Sequence, residues 1–276
     1  MALPFQRKTY YALGRHWVWY NDGNGKIVFR SRAGLSSWSD PTIVANLQNA
    51  GMLFDVWVSG INVSYVRKFA DEKLYYRKGQ MDTDGVITWL AAEQTVCDAP
   101  PSGGLTKPYI SEDANSYPYI TYMNTSGANV LYVTRSSAND GTWTTDAGYP
   151  MQLDSPCAVS CAAVTVPLTE GRMYAIWSNG TGGISSNLLG MLYSGSGWED
   201  PETLPTGSVL SNGNEFSAVA DSGQNVYIAW LNITNAILAV KRTWDGGTWG
   251  SIQTIASGTV SPALSINGTN MIYCFW

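Results

Sequence analysis

Charge is scarce in this chain: only 13% of its 276 residues are Asp, Glu, Lys or Arg, and the 16 basic and 21 acidic residues leave a net charge of −5. No stretch concentrates Lys or Arg into a stripe able to neutralise phosphates, which argues against a nucleic-acid partner. Histidine is nearly absent. The single ring, His16, lies in the strand-like segment HWVWY, where packing is the expected role, so neither a metal nor a cofactor is expected. Cysteine is also sparse. The four residues include no CxxC pair and are too few for a disulfide scaffold. Cys157 and Cys161 are placed on one face of a strand, too far apart for easy bridging, while Cys97 and Cys157 fall in blade-to-blade connections on one rim, where a bridge is open to them. No run approaches the ~20 apolar residues of a membrane span. The opening MALPFQRKTYYALG lacks the apolar core of a secretion signal. Two readings of location stay open: a virion or cytoplasmic protein that needs no signal, or a domain of a longer surface protein.

What the chain does have is aromatic surface, with 12 Trp and 16 Tyr alongside abundant Gly, Ser, Thr and Asn. Such a composition is poor for helices and good for short pleated strands. Its order is periodic. Trp38, Trp89, Trp143, Trp198 and Trp249 recur at intervals of 51, 54, 55 and 51 residues, each after an aromatic-rich strand and a Gly turn and before a further strand. Upstream of each lies a pair of alternating apolar runs joined by Gly, Asn or Asp, as in TYYALGRHWVWY and FSAVADSGQNVYIAW. Four strands per ~50 residues, repeated at fixed pitch, define a propeller blade and not a sandwich. The expected fold is therefore all-β, one β-propeller domain over residues 1–276. Its repeats run approximately 8–48, 49–99, 100–154, 155–207, 208–257, with a partial repeat at 258–276. SPALSINGTNMIYCFW supplies two inner strands of that sixth blade; a five-bladed ring is the alternative. The incomplete blade leaves an edge that a neighbouring chain or a second copy can extend.

Two of the turns carry a family resemblance. Ser137-Ala-Asn139-Asp140-Gly141-Thr142-Trp143 and Thr243-Trp244-Asp245-Gly246-Gly247-Thr248-Trp249 resemble the Asp-box, or BNR, turn of sialidase-type propellers, S/T-x-D-x-G-x-x-W. Each is one residue short between Gly and Trp, and Asn139 stands where the family has Asp. Asp82 to Trp89 is a longer relative, and the other two repeats keep little beyond the Trp. The turn itself is structural: its Asp or Asn accepts backbone N–H bonds, its Gly supplies positive φ, and its Trp packs between blades.

The resemblance implies, for a sialidase, three arginines on the substrate carboxylate, a Tyr nucleophile activated by Glu, and an Asp acid/base. The arginines do not follow that plan. Arg30, Arg77, Arg135 and Arg242 all end third strands at repeat-equivalent positions and read as scaffolding, which leaves Arg7 as the one basic side chain placed to face the central opening. For another propeller glycosidase, the first-strand carboxylates are Asp55, Glu112, Asp113 and Glu215, with Asp55 and Glu215 the pair of interest. Read as structure, Asp113 caps a turn and Glu215 is solvated. For sugar binding, Trp57 and Tyr109 near the ends of inner strands are candidate stacking platforms beside Asp55 and Glu215, whereas Trp17, Trp19, Trp177 and Trp230 on second strands read as core.

The reading is a non-catalytic recognition or assembly propeller on a cell surface or virus particle, with a glycan or protein partner. A glycoside hydrolase using Asp55, Glu215 and Arg7 is the enzymatic alternative. A structural virion or surface-layer subunit completed at its last blade by a neighbouring chain is the third reading.

Overall fold

The computed structural model describes residues 6–47, 53–180, 187–206, 210 and 215–276. Among them every sheet is antiparallel, and apart from one split outer strand the strands pair in chain order. Blade 1 is β1 (Thr9–Ala12), β2 (Arg15–Asn21), β3 (Lys26–Ala33) and β4 (Thr42–Asn46). Blade 2 is β5 (Phe54–Ser59), β6 (Asn62–Lys68), β7 (Leu74–Met81) and an outer strand split into β8 (Ile87–Trp89) and β9 (Gln94–Cys97), both paired with β7. Blade 3 is β10 (Leu105–Glu112), β11 (Pro118–Asn124), β12 (Val130–Arg135) and β13 (Met151–Asp154), and blade 4 is β14 (Ala163–Pro167), β15 (Met173–Asn179), β16 (Asn187–Tyr193) and β17 (Glu202–Thr203). Blade 5 is β18 (Phe216–Ala220), β19 (Val226–Leu231), β20 (Ala236–Arg242) and β21 (Gln253–Ser257), while blade 6 has two strands, β22 (Ala263–Ile266) and β23 (Ile272–Phe275). The innermost strands lie side by side in chain order, β5 with β10, β10 with β14, β14 with β18 and β18 with β22. The fold is a β-propeller. No helix among the described residues is long and apolar enough to cross a membrane.

Local chemistry explains the hairpins. At Leu13-Gly14 the two turn residues take φ of 56° and 71°, the left-handed pair that a two-residue β-turn between right-twisted strands requires. Elsewhere a side-chain oxygen closes the turn: Asp22, Asp82, Asp113, Asn232 and Asn267 each accept the N–H groups two and four residues ahead. Asn21 to Gly25 is such a hairpin turn.

Alternation along these strands puts one apolar row on each face, so the core lies between consecutive blades. Trp17, Trp19 and Phe29 of blade 1 meet Phe54, Val56 and Tyr65 of blade 2, and blades 3, 4 and 5 share a larger cluster centred on Ile176, Ile228 and Trp230. Trp17, Trp19, Trp177 and Trp230 are all buried, as befits second-strand core.

Two features depart from the sequence reading, and the Cys97–Cys157 bridge that it left open is not formed. Cys157 and Cys161 sit in the turn leading into β14, not on one strand, because the Cys161 N–H donates to Ala158 O and closes a turn. All four cysteines are free: Cys97 of blade 2 is set against the Tyr122 hydroxyl of blade 3, and Cys157 is held at Asn129 O of blade 3. The third-strand arginines are not equivalent. Relative to the carbonyl that receives the N–H just past the turn Trp (Ser31, Lys78 and Lys241), Arg30 and Arg77 stand one residue before and Arg242 one residue after.

Candidate functional site

The stretch before β1 organises the centre. Gln6 donates its amide to Pro108 O on β10 at 2.8 Å. Arg7 donates its backbone N–H to Asp55 Oδ1 on β5 at 2.7 Å and its Nη2 to Ala218 O on β18 at 2.8 Å. Residues 6–7 thus tie blades 2, 3 and 5 together across the axis. The other Asp55 oxygen accepts the Ile110 N–H at 3.0 Å. Burial pushes the Asp55 carboxyl up to about 7, although those two backbone bonds and the charges of Lys8 and Arg7 oppose it. Burial likewise brings Lys8 down to about 8, against the attraction of Asp55. Burial also works against the Arg7 charge, but Tyr109, Tyr10 and Asp55 hold it above the ordinary arginine value.

Above this floor opens a cavity of about 760 Å³, within the range of small-ligand sites. Gln6, Arg7, Lys8 and Trp57 line its base; Ser217, Ser265 and Asn267 add polar groups, and Tyr11 and Phe275 line it from blades 1 and 6. None of its lining residues among the described ones is acidic. Trp57 is half-buried, with the Arg7 guanidinium 5.1 Å from its ring centre.

The five sequence candidates separate. Arg7, Asp55 and Tyr109 come together, and Trp57 adjoins Arg7. Asp55 is wholly buried and committed to two backbone N–H groups; it anchors the segment over the axis and offers no free oxygen to a ligand. Tyr109 is 1% exposed, and burial pushes its phenol up to about 12. Glu215 is half-buried just ahead of β18 and is not part of the cavity lining. Of the remaining carboxylates, Asp113 caps its hairpin turn, and Glu112 is buried against Lys78 and Ser64. Gln6, Lys8, Tyr11 and Phe275 escaped the sequence reading because the first two lie ahead of the first strand, where the repeat pattern gives no guide. The other two line the cavity only where the ends of the ring approach.

No protein-family model and no curated protein sequence matches the chain. Solved structures do. AofleA from Arthrobotrys oligospora aligns over 98% of this chain and 78% of its own with a TM-score of 0.66 at 13% identity. The fucose-specific lectin from Aleuria aurantia aligns over 97% and 86% with a TM-score of 0.61 at 16% identity. The α-L-arabinofuranosidase Arb93A from Fusarium graminearum aligns over 96% and 85%, TM-score 0.61, at 8% identity. The Aleuria lectin is described as a six-bladed β-propeller. At these identities the likeness is one of fold: the chain has the propeller architecture, and its function rests on its own residues.

Proposed function

We propose that this propeller is a carbohydrate-binding module that receives its ligand in the axial cavity against Trp57. The observation that carries the reading is the composition of that cavity: aromatic rings from Trp57, Tyr11 and Phe275, hydroxyl and amide groups from Ser217, Ser265, Gln6 and Asn267, and no carboxylate among its lining residues. Rings stack on the apolar faces of a pyranose, and amides and hydroxyls exchange hydrogen bonds with its hydroxyls. A glycosidase needs two carboxylates flanking the bond it breaks, and Asp55 is buried, bonded to two backbone N–H groups and outside the cavity lining, so binding without hydrolysis is the reading these residues favour. The resemblance to a fucose-specific lectin supports it. The low charge and the composition rich in Asn, Ser, Thr and Tyr support display on a cell surface or virus particle.

A glycan array followed by titration of the best binder tests the proposal. The wild type is expected to bind a restricted set of glycans, and Trp57→Ala to weaken the best of them about ten-fold or more with the fold intact. Absence of binding to any glycan, or binding untouched by Trp57→Ala, sinks it.

A further inference from the structure

Around the ring, a turn tryptophan is sheltered by the preceding blade. Trp89 packs with the cluster of Trp17 and Trp19. Trp143 meets Tyr76 of blade 2 edge-on at 5.4 Å, Trp198 donates its Nε1 proton to the Tyr149 hydroxyl of blade 3 at 3.0 Å, and Trp249 meets Tyr174 of blade 4 at 6.3 Å. Trp38 of blade 1 differs from these four. Among the described residues the blade before it has only β22 and β23, and Trp38 is 38% exposed.

The junction of blades 4 and 5 shows what such a position holds when it is filled. Arg242 directly follows Lys241, whose carbonyl receives the Gly250 N–H just past Trp249; Arg32 directly follows Ser31, whose carbonyl receives the Ser39 N–H just past Trp38. The two arginines therefore occupy the same place on their blades. Arg242 Nε donates to Glu202 Oε1 at 2.7 Å, from the outermost strand of the preceding blade, and the same carboxylate accepts from the Tyr174 hydroxyl and, at 3.1 Å, from Trp249 Nε1. Arg32 has the aromatic half of this arrangement, its guanidinium 4.8 Å from the centre of the Trp38 ring. It lacks the acidic half: its Nε is buried without a hydrogen-bond partner, and no ion pair reaches it among the described residues. Beside it lies a cavity of about 410 Å³ lined by Arg32, Trp38, His16, Tyr11 and Trp17 and free of acidic side chains. His16 is exposed on this face, 4.9 Å from the Tyr11 ring, and is not packed in the core as its strand context implies.

A buried guanidinium N–H without an acceptor leaves its desolvation uncompensated, and the planar fork of arginine is complementary to a carboxylate. We propose that the cavity on blade 1 is a carboxylate-binding site, in which Arg32 holds the ligand as Arg242 holds Glu202, with Trp38 and Tyr11 flanking the rest of the molecule. An acidic sugar and a glutamate side chain bear the same group, and the experiment separates these sources.

The test is calorimetric titration of the full chain with D-glucuronate and with N-acetyl-L-glutamate N-methylamide, each beside its neutral counterpart, the methyl ester and the glutamine analogue. At least one acid is expected to saturate the wild type, with its neutral counterpart about ten-fold weaker or worse. The acid that binds tighter names the source. Arg32→Gln is expected to lose binding by a similar factor. Arg32→Lys, which keeps the charge without the fork, should fall between the two and serves if the Gln variant does not fold. Trp57→Ala reports on the axial cavity and should leave the acid's affinity in place. Equal binding of acid and neutral counterpart, full binding in Arg32→Gln, or saturation by neither acid overturns the proposal. So does loss in Trp57→Ala with retention in Arg32→Gln, which places the acid in the axial cavity.

Discussion

Lys78→Met is expected to destabilise the protein by about 3–5 kcal/mol, read as a lower urea midpoint at neutral pH with an unchanged slope. The Lys78 side chain is 2% exposed and that of Glu112 is 1% exposed, with Nζ 3.1 Å from Glu112 Oε1. The ammonium also donates to Ser116 O at 3.1 Å, and the Ser64 hydroxyl donates to the same carboxylate oxygen. Lys78 and Ser64 belong to blade 2 and Glu112 to the inner strand of blade 3, so the group staples two blades through their buried interface. Burial already raises the Glu112 carboxyl, against the attraction of Lys78. Removing the lysine leaves a desolvated carboxylate without its cation, the costly way to break such a pair. Replacing both, as Lys78→Met with Glu112→Leu, removes both desolvation penalties and is expected to recover most of the loss. A double variant as unstable as the single one rules out the charge imbalance as the cause.

Asp55→Asn is expected to cost about 1–3 kcal/mol. Each carboxylate oxygen accepts one backbone N–H, from Arg7 and from Ile110. An asparagine keeps one acceptor and turns its NH₂ group toward the other N–H. The same residue makes stability depend on pH. Its carboxyl titrates near 3.8 when unperturbed and is raised to about 7 by burial, so between these values the folded protein retains a proton that the unfolded chain has released. Stability contributed by this group is therefore fully present below about 4, declines as pH rises toward 7, and is level above that. Denaturant midpoints from pH 4 to 8 for the wild type and Asp55→Asn isolate the effect, because the difference between the two curves carries the slope. A difference that stays constant with pH shows that Asp55 does not titrate in this window.

The repeat was legible because every blade solves the same local problem with the same residues. Alternating apolar runs, Asx-closed hairpins and a Trp after the Gly turn leave signals at fixed spacing, so the blades and the second-strand core Trp residues could be placed before any contact was known. The site was only half legible. Arg7, Asp55 and Tyr109 do converge on the axis, but their roles follow from distances between residues far apart in the chain. Nothing near Asp55 in the sequence announces that it accepts the N–H groups of Arg7 and Ile110. The arginines misled for a related reason. A shift of two residues along a strand keeps a side chain on the same face but moves it two positions along the blade, and so changes the groups it meets. It separates Arg242, paired with Glu202, from Arg77, which donates to Ala91 O in its own blade.

By itself the sequence determined the strand pattern, the blade pitch and the sparse charge, because these are properties of neighbouring residues and of composition. Only the tertiary structure decided which aromatics stay open. Closing the ring sets each blade's outer row against the blade before it, and burial there depends on which side chains of that blade, among the described residues, reach the row. That is why Trp249 packs against Tyr174 while Trp38, its counterpart, stands beside an arginine with no acid. Trp57 rather than Tyr109 lines the axial cavity because the packing of blades 3, 4 and 5 buries the Tyr109 ring to 1% exposure.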